Sequence, residues 1–165
     1  MPDLITKNRA GRPNPWGLEG AAGFNEGEGN FAFRPMKWSS GGGRWSGTAG
    51  GFRFDIGQSS PDGQPPDSLF WLREVVENIV GVRRHPFYRC KIAKKGKQTP
   101  FRYQLFGAEA LKVMQAMAPY SDKKRTQYEA AVAAEAKFKE ENPDRRRLRP
   151  YLHPPVRGSG QTDLW

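Results

Sequence analysis

Four short segments of this chain alternate apolar and polar residues, and segments with helical spacing separate and follow them. Phe31 and Phe33 alternate with Ala32 and Arg34; Phe52, Phe54 and Ile56 alternate with Arg53 and Asp55. Tyr88, Cys90 and Ile92 alternate with Arg89 and Lys91; Phe101, Tyr103 and Leu105 alternate with Arg102 and Gln104. A period of two places one apolar row on one face of a strand. The glycine-rich SSGGGRWSGTAGG and the basic KKGKQT join these runs into two hairpins. Between the hairpins, LFWLREVVENIV has apolar residues at 69, 72, 75, 76, 79 and 80. That is helical spacing, with Asp67 or Ser68 as cap and Gly81 as stop. GAEALKVMQAMA reads as a helix ending near Pro119, and SDKKRTQYEAAVAAEAKFKEE as a long helix capped by Ser121. The pattern predicts an α+β protein: a four-stranded antiparallel sheet with helices on its apolar face.

Composition narrows the function. The 165 residues carry a net charge of +10, which points to a polyanionic partner, most often nucleic acid. The competing reading is a soluble protein that happens to be basic. Cys90 is the sole cysteine, which excludes an intrachain disulfide and a thiolate-rich zinc site. His85 and His153 stand far apart and read as surface residues. MPDLITKNRAGRP lacks the apolar core of a signal peptide, and no apolar run approaches membrane-spanning length. A cytoplasmic location is the expectation, with no membrane and no small-molecule substrate. Residues 1–13 read as a flexible basic arm, 14–141 as one domain, and 142–165 as a tail rich in Pro, Arg and Gly.

The polar rows of the four strands are mostly cationic and amide: Arg34, Arg53, Asp55, Arg89, Lys91, Arg102 and Gln104. Lys37, Arg44 and Lys94 extend this surface towards the hairpin tips. An ordinary solvated sheet face usually mixes the two signs. Arg and Gln hydrogen-bond base edges, and a β-ribbon fits the major groove, so a DNA-reading sheet is expected.

The stretch GAAGFNEGEG, residues 20–29, makes an odd helix. Asn14 and Pro15 suit a helix start, yet glycines follow at 17, 20, 23 and 27, each costing about 1 kcal/mol relative to alanine. Glu26 and Glu28 sit where the helix dipole disfavours acids. By propensity alone, a glycine-rich loop would win. As a helix, Gly20, Gly23 and Gly27 share one narrow arc, a stripe that lets a second backbone approach closely. A second copy of the same helix is a natural partner.

Residues 21–31, AAGFNEGEGNF, resemble the signature of the LAGLIDADG homing endonucleases, commonly L-A-G-[FL]-[IV]-D-G-[DE]-G-[SC]-F. Ala22, Gly23, Phe24, Gly27, Glu28, Gly29 and Phe31 match; Ala21 replaces leucine, Asn25 an aliphatic residue and Glu26 an aspartate. The order of elements from Trp16 to Ala136 resembles the family's α-β-β-α-β-β-α unit. The resemblance implies a homodimer packed through Gly20, Gly23, Phe24 and Gly27, cutting a roughly palindromic site in duplex DNA. It implies Mg²⁺, with Mn²⁺ as a substitute, held by Glu28 with Gly27; Glu26 is the weaker ligand. FDIGQ resembles the family's second strand, whose glutamine, here Gln58, lies near the cleavage site and organises metal-bound water. APYSDKKRTQY resembles a segment whose lysine enters the pocket around the cleaved phosphate. Counting from Pro119 gives Lys124, with Lys123 one residue away.

Two other functions fit the same residues. One keeps the fold without the chemistry: a DNA-binding regulator or an RNA-splicing maturase. The other is a non-specific basic nucleic-acid-binding protein whose aromatic residues stack on single strands.

Overall fold

The computed structural model describes residues 13–40, 45–81, 87–90, 98–143 and 162–163. Helix α1 (Leu18–Glu28) leads into a long hairpin of β1 (Gly29–Ser40) and β2 (Trp45–Ser60). Helix α2 (Asp67–Val80), strands β3 (Phe87–Arg89) and β4 (Thr99–Phe106), and helix α3 (Gly107–Met117) follow. A 3₁₀ turn (Ala118–Tyr120) precedes α4 (Asp122–Glu141), and β5 (Thr162–Asp163) adds two residues near the C-terminus. The strands form one antiparallel sheet in the order β1-β2-β4-β3-β5. The α+β architecture is the expected one.

The alternating residues build the core. Phe31, Phe52, Phe54, Ile56, Phe101, Tyr103 and Leu105 are buried on the helix-facing side of the sheet. Each such large apolar side chain contributes about 1.5–3 kcal/mol by leaving water. Leu69, Leu72 and Val76 of α2 and Val113, Met114 and Met117 of α3 close over them. At the end of α2, Gly81 takes φ +101°, a conformation open to glycine and strained for other residues.

Helix α1 forms despite its glycines. Its packed face holds Ala21, Ala22 and Asn25, each fully buried. Small side chains let the helix backbone lie close to the layer beneath. Its start differs from the sequence expectation. Gly17, which has no side chain to offer, is the N-cap, and the Asn14 side chain is used elsewhere. Asn14 Oδ1 accepts from Trp16 N–H at 2.8 Å, while Nδ2 donates to the Trp71 carbonyl and to Glu74, both at 3.0 Å. Asn14 thus makes an Asx turn and ties the helix entry to α2. Neither Asp67 nor Ser68 caps α2: Asp67 is its first residue, and Pro66 is the N-cap.

Strand β3 corrects the expected register. Phe87, not Tyr88, points into the core and is fully buried. Its ring lies 5.0 Å from Phe70 and 5.5 Å from Tyr103, under the Arg73 guanidinium at 4.3 Å. A one-residue change of register exchanges the two faces of a strand. Tyr88 pairs with the exposed Arg102, and Arg89 pairs with the buried Phe101. Arg89 therefore lies on the helix side, next to the turn at Gly63, and leaves the expected DNA-reading row.

Candidate functional site

The outward face of β2 and β4 carries a connected polar cluster. Asp55 stands opposite Gln104, and Arg102 stands opposite Gly57. The Asp55 carboxylate accepts from Arg53 Nη2 at 2.9 Å and from Gln104 Nε2 at 3.1 Å, and pairs with Arg102 Nε at 3.6 Å. Asp55 is thus occupied as the hub of the cluster, which leaves it little capacity as a base reader. The side chains of Arg53 and Arg102 remain 28% and 44% exposed, although Arg53 Nε itself is buried and has no partner among the described residues. The Arg53 guanidinium also lies 5.8 Å from the centre of the exposed Phe106 ring. Arg34 is exposed on the neighbouring strand, opposite Gly51. Asn30 and Phe106 join this face without having been singled out in the sequence. Their parity with Arg34 and with Gln104 is the signal that finds them. Arg44, Lys91 and Lys94 lie outside the described residues, as does the Lys37 side chain.

Beside this cluster, at the end of α1, lies an open cavity of about 350 Å³. Glu28, Gln58, Ser59, Cys90, Gln98 and Arg102 contribute to its wall. The fold therefore brings Glu28 and Gln58 to one cavity from elements thirty residues apart. Glu28 is the last residue of α1 and is exposed. Gln58 stands opposite the buried Phe101, and its side chain is held by Ser68 of α2, whose hydroxyl donates to Oε1.

Lys124 is not part of this wall. Its side chain is fully buried, and Nζ donates to the Gly29 carbonyl and to Gln127 Oε1 at 3.0 Å. The same Gln127 oxygen accepts from Phe31 N–H at 3.3 Å, and the Phe31 ring centre lies 5.3 Å from Nζ. Burial lowers the Lys124 pKa from 10.5 to about 8; the Lys123 cation adds to this and Glu26 opposes it. The phosphate-contacting role expected of Lys124 does not fit this position. Lys123 is exposed, and its Nζ donates to the Glu26 carbonyl at 3.0 Å. Spacing could have separated the two lysines. Lys124, Ala131 and Phe138 are seven apart and are the buried residues of α4, whereas Lys123 falls off that row.

These contacts resolve much of the oddity of α1. It has acids in its last turn and no basic residue of its own there, while α4 has lysines in its first turn. Each arrangement is unfavourable to its own dipole. Together they are complementary: the α4 lysines hydrogen-bond the terminal carbonyls of α1. Ser121 caps α4 as expected, accepting from Lys124 N–H at 3.2 Å. At the junction, a Cβ on Gly29 would fall 1.6 Å from Asn25 Oδ1 and 2.9 Å from the Asn25 carbonyl oxygen. Asn25 is fully buried, and among the described residues neither polar atom of its side chain has a partner.

The glycine stripe is open. Gly20, Gly23 and Gly27 are all exposed, and a Cβ at Gly23 or Gly27 would meet nothing within 4 Å. Phe24 is half-buried beside the stripe, with its ring 4.9 Å from Trp16. Among the described residues, no three His, Cys, Asp or Glu side chains gather as a metal-binding group, and no helix is long and apolar enough to cross a membrane. No protein-family model matches the chain, and no curated protein matches it significantly.

Proposed function

We propose that this protein is a site-specific, metal-dependent DNA endonuclease with the homing-endonuclease fold, acting as a homodimer on a roughly palindromic duplex site. One observation carries the reading: Glu28 and Gln58 line a single cavity that opens beside an outward sheet face rich in Arg and Gln. The order of elements and the open glycine face of α1 support it.

The donor set suits Mg²⁺. Mg²⁺ takes one or two carboxylates, with waters and substrate phosphates completing its shell. One Glu28 from each of two chains, with the Gly27 carbonyl beside it, would supply that number, and no cluster within one chain is needed. When bound, the ion would lower the pKa of a water and steady the leaving oxygen. Gln58, held by Ser68, would orient water or a phosphate oxygen through its amide nitrogen. The +10 charge would supply phosphate neutralisation, so affinity would fall steeply with salt.

The test is incubation with a DNA library that includes the uninterrupted sequence flanking the gene, with Mg²⁺ and with EDTA, beside Glu28→Gln. Discrete Mg²⁺-dependent double-strand cuts, absent in the variant, are expected. Identical behaviour of wild type and Glu28→Gln on every DNA would sink the proposal. The burial of Lys124 favours a second reading, a DNA-binding protein on the same fold that does not cut. Specific binding without cleavage in Mg²⁺ or Mn²⁺ would establish that one.

A further inference from the structure

A phosphodiester cleavage site needs a cation near the phosphate, and the cavity wall offers one. Among the described residues Arg102 is the only Lys or Arg that lines it. Its side chain is 44% exposed, and Nε faces Asp55 Oδ1 at 3.6 Å. Among the described residues, neither terminal nitrogen has a protein partner. The residue directly opposite on β2 is Gly57, so from that position on the strand no side chain stands against the guanidinium. A guanidinium presents a planar fork that matches two oxygens of a phosphate.

We infer that Arg102, oriented through Nε by Asp55, contacts the non-bridging oxygens of the scissile phosphate and is a catalytic residue of the cavity. The inference rests on the endonuclease reading. In the step it assists, a water oxygen bonds to phosphorus and the P–O3′ bond breaks. The water gives a proton to solvent, the departing O3′ takes one from solvent, and the products are a 5′-phosphate and a 3′-hydroxyl. Arg102 exchanges no proton; it neutralises charge as it builds on the phosphate. Asp55 is the positioning residue, since it acts through Arg102.

The experiment uses full-length protein and the site selected by the wild type, with single-turnover cleavage at saturating protein measured alongside binding. Arg102→Gln should slow cleavage by about 10²–10³-fold and weaken binding far less. Arg102→Lys should recover part of the rate, because it restores the charge without the fork. Asp55→Asn should lower the rate less than Arg102→Gln. Melting curves confirm that each variant folds; if Arg102→Gln does not fold, Arg102→Lys and Asp55→Asn carry the test. Wild-type cleavage rates in Arg102→Gln, or in both Arg102→Lys and Asp55→Asn, while Glu28→Gln is dead would overturn this assignment alone. A wild-type protein that never cuts would overturn it together with the endonuclease reading.

Discussion

Two polar clusters adjoin the end of α1, and they differ in what they leave over. At the α1–β1 junction, the fully buried Lys124 is satisfied by Gln127 and the carbonyl of Gly29, both of which are half-buried. On the outer sheet face, Asp55 gathers Arg53, Arg102 and Gln104, yet both arginine side chains stay partly exposed. The closed cluster has little capacity for a ligand and acts on the fold. The open cluster has fixed cations with unused donors, which is what recognition of an anion requires. Charge alone does not distinguish them. Lys124 and Arg102 are both basic residues close to the end of α1, and solvent exposure and spare hydrogen-bonding capacity separate their roles.

The contrast breaks most visibly at Gly29. Gly29→Ala sets a methyl group against both the side chain and the carbonyl oxygen of Asn25. Overpacking of this kind costs about 1–3 kcal/mol, and backbone involvement places this case at about 3. Urea unfolding at neutral pH should show that loss. An alanine variant as stable as the wild type would mean that the junction is not closed.

Lys124 gives the next largest effect, and it depends on pH. Its folded-state pKa of about 8 lies below the 10.5 of the unfolded chain. Between those values the unfolded chain holds a proton that the folded one lacks, so stability rises with pH across the window. The charged form costs stability below about pH 8. The slope contributed by this one group is at most ~1.36 kcal/mol per pH unit. Unfolding measured from pH 7.5 to 10.5 should show the rise in wild type and its loss in Lys124→Met.

Asn25 tests the closed cluster in the opposite direction. A buried amide without partners lowers stability, and an apolar group of similar size removes that cost. Asn25→Leu should therefore stabilise the protein by about 1 kcal/mol, read as an upward shift in melting temperature. A destabilised variant would indicate that the amide has a partner, such as an internal water.

Much of this was legible in the sequence, for identifiable reasons. Period-two rows such as Phe52, Phe54 and Ile56 fix strand faces because each apolar residue independently favours the same side. The caps were legible where one residue had a single use, as with Ser121. Asn14 misled because its amide bonds to Trp71 and Glu74, residues distant in sequence. Strand β3 misled because, over three residues, Phe87 and Tyr88 both look like core residues, and only the pocket formed by Phe70 and Tyr103 chooses between them. Lys124 misled because its burial comes from the packing of α4 against β1. Glu28 and Gln58 stood out as motif residues, but their shared cavity depends on how α1 meets β2.

The smallest effect belongs to the open cluster. Asp55→Asn removes ion pairs that are partly exposed, and such pairs contribute about 0–1 kcal/mol. Folding stability should hardly move, in contrast to Gly29→Ala. Binding should respond instead. Without the carboxylate, Arg53 and Arg102 lose their common anchor and the surface loses one negative charge. On the proposed reading, affinity for random duplex DNA should rise slightly, while discrimination between the selected site and a scrambled one should fall. Competition binding at two salt concentrations separates these effects, because phosphate neutralisation is salt-dependent and the loss of base-edge orientation is less so. If discrimination survived unchanged, Asp55 would not organise the reading face. If stability dropped as far as in Gly29→Ala, the outer cluster would belong with the junction as part of the fold's closed interior.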